Sequence, residues 1–526
     1  MRTALLILAA LLAAPAIALA DDVVSPAAES VGVTIYRDGP VNTAQLREGQ
    51  AGDSGLALIT ETRTVDLPAG RSRIRFEGVA DRIVPESAAI EGLPAGVVER
   101  NFDYDLLDPA SMLARSIGET VTLRRIDAKT GKVTEEPAVV RAAPDGVTLQ
   151  TARGFEALHC SGGAEGLIFS RMPAGLADRP TLSAIADAPA AGRYKIRLSY
   201  LSVRLNWSAD YVARIAADGR SLDLLGWITL ANASSMSFAN APTSVVAGNL
   251  ARVAVSLPQP NAPALDLACW PHQTTHSGWL DDRPPPPPPP PEAPVAVGAL
   301  SDEVIVTAAR REERLEKVPI AVTQRELGDY KLYSLIEPTT VAAKETKQVA
   351  FLHKAGVTFD TVYVFDAGEA ANAAGRPLAA AATLRFENKT AKGLGAPLPQ
   401  GTVWLRQTPP DGGELFIGSA PMNDVAVDAP FELVAGQASD VQLSGRLVSN
   451  ALVGKTRRRL SFSFEATNAK AVPVTAEVRA HIGGERGLAF VAESQGHGRK
   501  GGDPVWTLPL PANGAATLTY TIEYDE

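Results

Sequence analysis

The chain has 526 residues, 45% of them hydrophobic and 21% charged, with a formal net charge of −9. That length suits roughly three domains, with enough apolar residues to fill their cores. The acidic balance argues against a nucleic-acid surface, so no nucleic-acid partner is expected.

Residues 1–20 read as a secretory signal peptide. Arg2 gives a positive start, Leu5 to Leu12 form a short apolar run, and Ala18-Leu19-Ala20 offers small-x-small cleavage before Asp21-Asp22. Pro15 interrupts the apolar run, and no later stretch is long and apolar enough to span a bilayer. The expectation is an exported chain, in the periplasm or on the cell surface of a Gram-negative bacterium, with no transmembrane span after signal removal.

A first β domain is expected over 21–190, with short strands near 31–37, 56–66, 72–78, 95–104, 118–127 and 146–150. Its one helix, near 108–117, starts at Asp108 as N-cap with Pro109 in the first helical position. Cys160 falls here and Cys269 later, and they are the chain's two cysteines. In an oxidising compartment the pair is a disulfide candidate, and closing so long a loop contributes about 4–5 kcal/mol on a chain-entropy basis. The other reading is two buried thiols that never meet.

A central β-sandwich is expected from 191–280 together with 328–395. Tyr194, Ile196, Leu198 and Tyr200 share one parity, whereas Leu201, Val203, Leu205 and Trp207 share the other. One extra residue at the Tyr200–Leu201 step would cause the slip, as a bulge or a crossing between sheets. Strands follow at Tyr211–Ile215 and Leu222–Leu230, then near 347–353, 358–365 and 380–388. Between the two parts lies a linker, 281–327, containing eight consecutive prolines from Pro284 to Pro291. Such a tract favours extended polyproline II and builds no core. Regular β structure is expected to resume near Lys331.

A C-terminal β-sandwich is expected over 396–526. Leu460, Phe462, Phe464 and Ala466 alternate with polar residues, and after Asn468-Ala469-Lys470 a second alternating run goes from Val472 to Ile482. The pattern suggests a half-buried hairpin, with Pro473 at a strand start or sheet edge. Asn513-Gly514 turns into a last strand carrying Leu518, Tyr520, Ile522 and Tyr524. The fold class is therefore all-β, as multi-domain β-sandwiches.

Several phrases, among them "NWSADYVARIAADGRSLDLLGWITLANAS", "GDYKLYSL", "LPQGTVWLRQ", "LFIGSAPMNDV" and "LVAGQASDVQLSG", resemble a bacterial family of exported proteins carrying domain of unknown function 4139. "AGRSRIRFEGVADRIVPESAAIEG" and "NFDYDLLDPASMLARSIGETVTL" are similar to the leading part of such proteins. The resemblance covers most of the chain beyond residue 20, with the proline tract and residues 302–327 as an insertion. It implies an envelope β-protein and brings no reaction or catalytic residue with it.

Within the insertion, "DEVIVTAARREERLEKVPIAVT" (302–323) resembles the TonB box and plug start of TonB-dependent receptors. A receptor also needs a barrel of about 22 strands of about 9–11 residues. Only 203 residues follow Thr323, too few for plug and barrel, so a transporter is not expected. The β-branched run Val304-Ile305-Val306-Thr307, after Glu303, could instead dock as an added strand on a partner such as the TonB C-terminal domain. The competing reading is a linker whose spelling resembles a box.

Chemistry-bearing motifs are sparse. His272 and His276 have the spacing of two zinc ligands on a helix, but the intervening Gln-Thr-Thr lacks the H-E-x-x-H glutamate, and the setting beside Pro271 suits a loop. No catalytic constellation or cofactor motif is assigned. Trp207, Trp227 and Trp506 fall on strands and are expected in cores, and Asn206, Asn232 and Asn388 head N-x-Ser/Thr sequons. The expected function is a non-enzymatic binding, adhesion or scaffolding module of the envelope, with an envelope protein or a glycan as partner. The alternatives are an envelope hydrolase whose carboxylates meet only in the fold, and a partner of the TonB system through residues 303–307.

Overall fold

The computed structural model describes residues 21–37, 54–94, 96–103, 109–127, 129–143, 147–158, 164–173, 176, 179–248, 250–251, 319–409, 412–482 and 485–525. Strands dominate them, and the architecture is all-β, with several sheets packed around shared cores. Among the described residues two short α-helices interrupt the strands. Pro109–Arg115 lies where the Asp-Pro signal puts it, although Asp108 itself falls outside the described residues. Ala367–Asn372 is a second helix that the sequence reading lacks. Asp366 caps it by accepting from the Glu369 N–H at 2.7 Å, and the Asp-x-x-Glu spacing is the signal for such a start.

A seven-stranded sheet runs in the order Val322–Leu327, Tyr330–Leu335, Thr243–Ala247, Ser30–Tyr36, Leu56–Leu67, Gly192–Val203, Ile83–Glu91. Segments from both sides of residues 252–318 therefore enter one sheet, where Thr243–Ala247 pairs with Tyr330–Leu335. Regular structure resumes at Val322 rather than near Lys331, so the last residues of the expected linker are an edge strand. Of that strand only Val322 is buried, which leaves no hydrophobic alternation to announce it.

The parity slip near Tyr200 resolves into two events. Against Ile83–Glu91 the register does shift between Ser199 and Leu201, but the extra residues lie on the partner strand, around Pro85. Against Leu56–Leu67 the pairing runs unbroken from Gly192 to Val203. The buried face changes parity only at Arg204, whose φ of 70° carries the chain out of the seven-stranded sheet and into the central one. A crossing occurs, four residues later than the sequence pattern places it.

The central sheet has five strands, in the order Glu345–Thr358, Ser221–Asn232, Leu205–Ile215, Gly401–Gln407, Leu415–Met422. Leu205–Ile215 pairs in parallel with Gly401–Gln407, and Gly401 is needed because a Cβ there would lie 1.8 Å from the Ala209 carbonyl oxygen. Its inner face packs a row of rings. Trp207 lies 6.4 Å from Tyr333, Tyr333 5.6 Å from Phe351, and Phe351 5.8 Å from Tyr211 between centroids. The buried polar ends are satisfied, with Trp207 Nε1 donating to Val246 O and Tyr211 OH to Pro399 O.

The third large sheet has nine strands and begins before the central one is complete. Asp360–Asp366 and Leu378–Glu387 belong to it, whereas residues 401–422 belong to the central sheet, so the two interleave across residue 395. The expected hairpin at Asn468-Ala469-Lys470 is not one. Arg457–Asn468 pairs with Pro430–Val453 and Gly514–Asp525, whereas Val474–Arg479 pairs with Asp360–Asp366 and Asp503–Leu510. The turn is an arch between two layers whose shared core includes Phe464, Ala466, Ala476 and Val478. Asn468 holds it, donating from Nδ2 to Val472 O and Pro511 O and accepting from Lys470 N–H. Pro473 precedes the first residue of its strand, as expected.

Candidate binding face

Strict alternation in the central sheet sends Tyr211, Ala213, Val403, Leu405, Ala420 and Met422 inward. It therefore sends Asp210, Val212, Arg214, Thr402, Trp404 and Arg406 outward. Register places Val212 beside Trp404 and Arg214 beside Arg406. On the next strand a register shift after Leu405 leaves Ile417 as an extra residue and sets Phe416 opposite Arg406. Trp404 and Phe416 then stand together, 43% and 63% exposed, with centroids 6.2 Å apart and planes at 44°. Leu415, Ile417 and, on the neighbouring strand Pro430–Val453, Val434 are exposed as well.

Charged groups border this surface. Glu414 bridges Arg214 and Arg406, each nitrogen 2.8 Å from a carboxylate oxygen. Toward the other end of the strands, Asp210 accepts from the Ser208 and Thr229 hydroxyls, and Gln348 donates to Thr229 Oγ1. Trp227 lies opposite Asp210 and is half-buried on this outer face, a correction to its expected place in a core. Trp207 and Trp506 are buried as expected. A face with Trp and Phe at its centre and an Arg–Glu–Arg triad at its rim has the composition of interface hot spots.

Two carboxylates held down by neighbouring cations lie elsewhere, on the nine-stranded sheet. Glu432 and Glu477 share Arg385 and Arg479, and Lys500 also reaches Glu432. Burial alone would raise the Glu432 carboxyl, but hydrogen bonds from Lys500 and Arg385 and the Arg479 charge hold it down at about 2. Glu477 is lowered as well, by Arg479 and Arg385 against the effect of burial. Both carboxylates are thus held ionised, the opposite of what a glycosidase-type general acid needs.

Cys160, Cys269, His272, His276 and the segment Glu303, Val304, Ile305, Val306, Thr307 all lie outside the described residues. The end of the receptor-like stretch is described. Val322 and Thr323 are paired in the sheet, opposite Leu335 and Ser334. Asn206, Asn232 and Asn388 are each at most 2% exposed, so none presents its amide for glycosylation. The basic stretch Lys455-Thr-Arg-Arg-Arg459 leads into a strand and meets acid there, with Arg457 and Arg459 paired to Glu523. The sequence reading passed over Trp404, although alternation was the signal that could have found it, since Val403 and Leu405 cannot both point inward unless Trp404 points out. Phe416 was not legible, because its facing depends on the bulge.

No helix among the described residues is long and apolar enough to cross a membrane. Comparison with known proteins found no matching family model and no matching curated protein.

Proposed function

We propose that this chain is an exported envelope protein that binds another protein through the outer face of its central sheet. The observation that carries the reading is the exposed pair Trp404 and Phe416, flanked by the Arg214–Glu414–Arg406 triad. Exposed apolar patches with polar rims mark contact surfaces, and Trp and Arg are the residues most often found at their energetic centres. The signal-like residues 1–20 and the resemblance to exported proteins support the compartment.

The test is co-sedimentation of the purified mature chain with a Gram-negative envelope fraction, comparing wild type with Trp404→Ala/Phe416→Ala. Retention should fall at least tenfold in the double variant and should be lost when the envelope is pre-digested with protease. Equal retention of both proteins would remove the face from the proposal. Loss only after glycan digestion would replace the protein partner by a carbohydrate.

A further inference from the structure

The stretch Gln495-Gly-His-Gly-Arg-Lys-Gly-Gly502 concentrates glycine and basic residues in a chain that is acidic overall. Gly498–Lys500 is the edge strand of the nine-stranded sheet, paired with Asp503–Leu510. The connecting Gly501 and Gly502 have φ of 60° and 96°, the left-handed pair that a two-residue hairpin turn requires. The approach to this hairpin is pinned from inside. His497 packs 4.4 Å from Phe490 and 5.7 Å from Trp506 between centroids. Glu493 Oε1 lies 2.7 Å from His497 Nδ1 and accepts from Trp506 Nε1.

The pinned hairpin walls a hollow of about 600 Å³, lined by Arg385, Glu477, Gln495, Arg499, Lys500 and Thr507 among others. That is the size of a small-ligand site. Arg385, Arg479 and Lys500 pair with Glu432 and Glu477, Arg499 lines the same hollow, and Asp360 stands opposite Arg385 in the ladder, so four cations meet three carboxylates and the positive excess is small. The nearby Asp503 is turned to His481. The carboxylates do not exhaust the donors. Arg385 commits Nε and Nη2 to them but not Nη1, and Arg499 bonds from Nη1 to Gly502 O.

We infer that this hollow binds a phosphate-bearing ligand, with Arg385, Arg499 and Lys500 contacting the anion. Glu432 and Glu477 hold Arg385 and Arg479 in place, and Glu493 positions the hairpin through His497. Guanidinium groups suit the role because their planar donor fork matches phosphate oxygens, and a preset cation geometry lowers the cost of binding.

The experiment is calorimetric titration of the full mature chain with inorganic phosphate, in parallel with sedimentation on vesicles of neutral lipid with and without phosphatidic acid. Wild type should bind phosphate or the phosphatidic acid vesicles, and Arg499→Gln/Lys500→Gln should bind at least tenfold more weakly. Arg457→Gln/Arg459→Gln, at a different basic cluster, should bind as wild type does, and thermal unfolding should confirm that both variants are folded. Binding to free phosphate identifies a soluble ligand, and binding to vesicles alone identifies a lipid headgroup. Absence of both in wild type, or equal weakening by the two double variants, would overturn the assignment.

Discussion

Trp506 and Tyr520 stack with their ring centroids 4.5 Å apart and their planes within 8° of each other. Five strands separate their two strands in the order of the nine-stranded sheet. The sheet therefore curls until its ends face one another, and these rings join the two layers. Phe490 packs against both rings and Phe464 against Tyr520, and burial pushes the Tyr520 phenol well above its usual range, so it stays neutral.

Tyr520→Ala should therefore open the joint between layers rather than trim a surface. Removing a buried aromatic of this kind costs about 3–5 kcal/mol. Urea unfolding followed by tryptophan fluorescence should show a lower midpoint, with Trp506 reporting directly. A shift worth less than about 1 kcal/mol would mean the layers are held elsewhere.

Period-two alternation was enough to read strands such as Arg457–Asn468 and Gly514–Asp525, but not Val322–Leu327, with one buried residue, or Thr181–Ala188, buried on both faces. What alternation cannot encode is the partner. Arg457–Asn468 and Val474–Arg479 look like a hairpin in sequence, and only Asn468, bonded to both Val472 and Pro511, makes the turn an arch. The change of sheet at Arg204 was visible as a parity slip, but its position was not, since a positive φ at arginine has no spelling. At the candidate face, the alternation of Val403 and Leu405 was a signal for Trp404 that went unused, whereas the cluster of Glu432, Glu477, Arg385, Arg479 and Lys500 unites residues from distant segments that no local pattern connects.

Gly401 tests the parallel contact beneath the candidate face. Its Cβ would collide with the Ala209 backbone, which cannot move without disturbing the ladder. Gly401→Ala should cost about 3 kcal/mol, at the upper end of ordinary overpacking. Gly219→Ala is a weaker control, since nothing lies within 4 Å there and only its φ of 66° resists substitution. Thermal unfolding of the two variants should rank Gly401→Ala as the more damaged, and the reverse order would contradict the packing at Ala209.

Asn388 is fully buried and ties together two loops. Its Nδ2 donates to Ala396 O and Ala426 O, and its Oδ1 accepts from the Gly395 and Ala396 N–H groups. Asn388→Ala leaves those backbone groups without partners, at about 1–3 kcal/mol for each one left unsatisfied. The variant should lower the unfolding midpoint and speed amide hydrogen exchange at Gly395 and Ala396, whose N–H groups lose their acceptor. Unchanged exchange at those amides would show that the loops are held without it.

Glu432 gives the fold a specific acid dependence. Its folded carboxyl sits at about 2 against an ordinary value of 4.5, so the unfolded chain takes up its proton first as pH falls. The stabilisation is fully present above about pH 4.5 and is lost as pH drops through the folded value, a contribution of no more than about 3 kcal/mol. Glu432→Gln removes this titration and leaves Arg385, Arg479 and Lys500 with one fewer carboxylate. The variant should be less stable than wild type at pH 7, and the gap should narrow steadily between pH 4.5 and 2. Denaturant melts at intervals across that range would decide it. A gap that stays constant with pH would mean that Glu432 contributes through packing rather than through its charge.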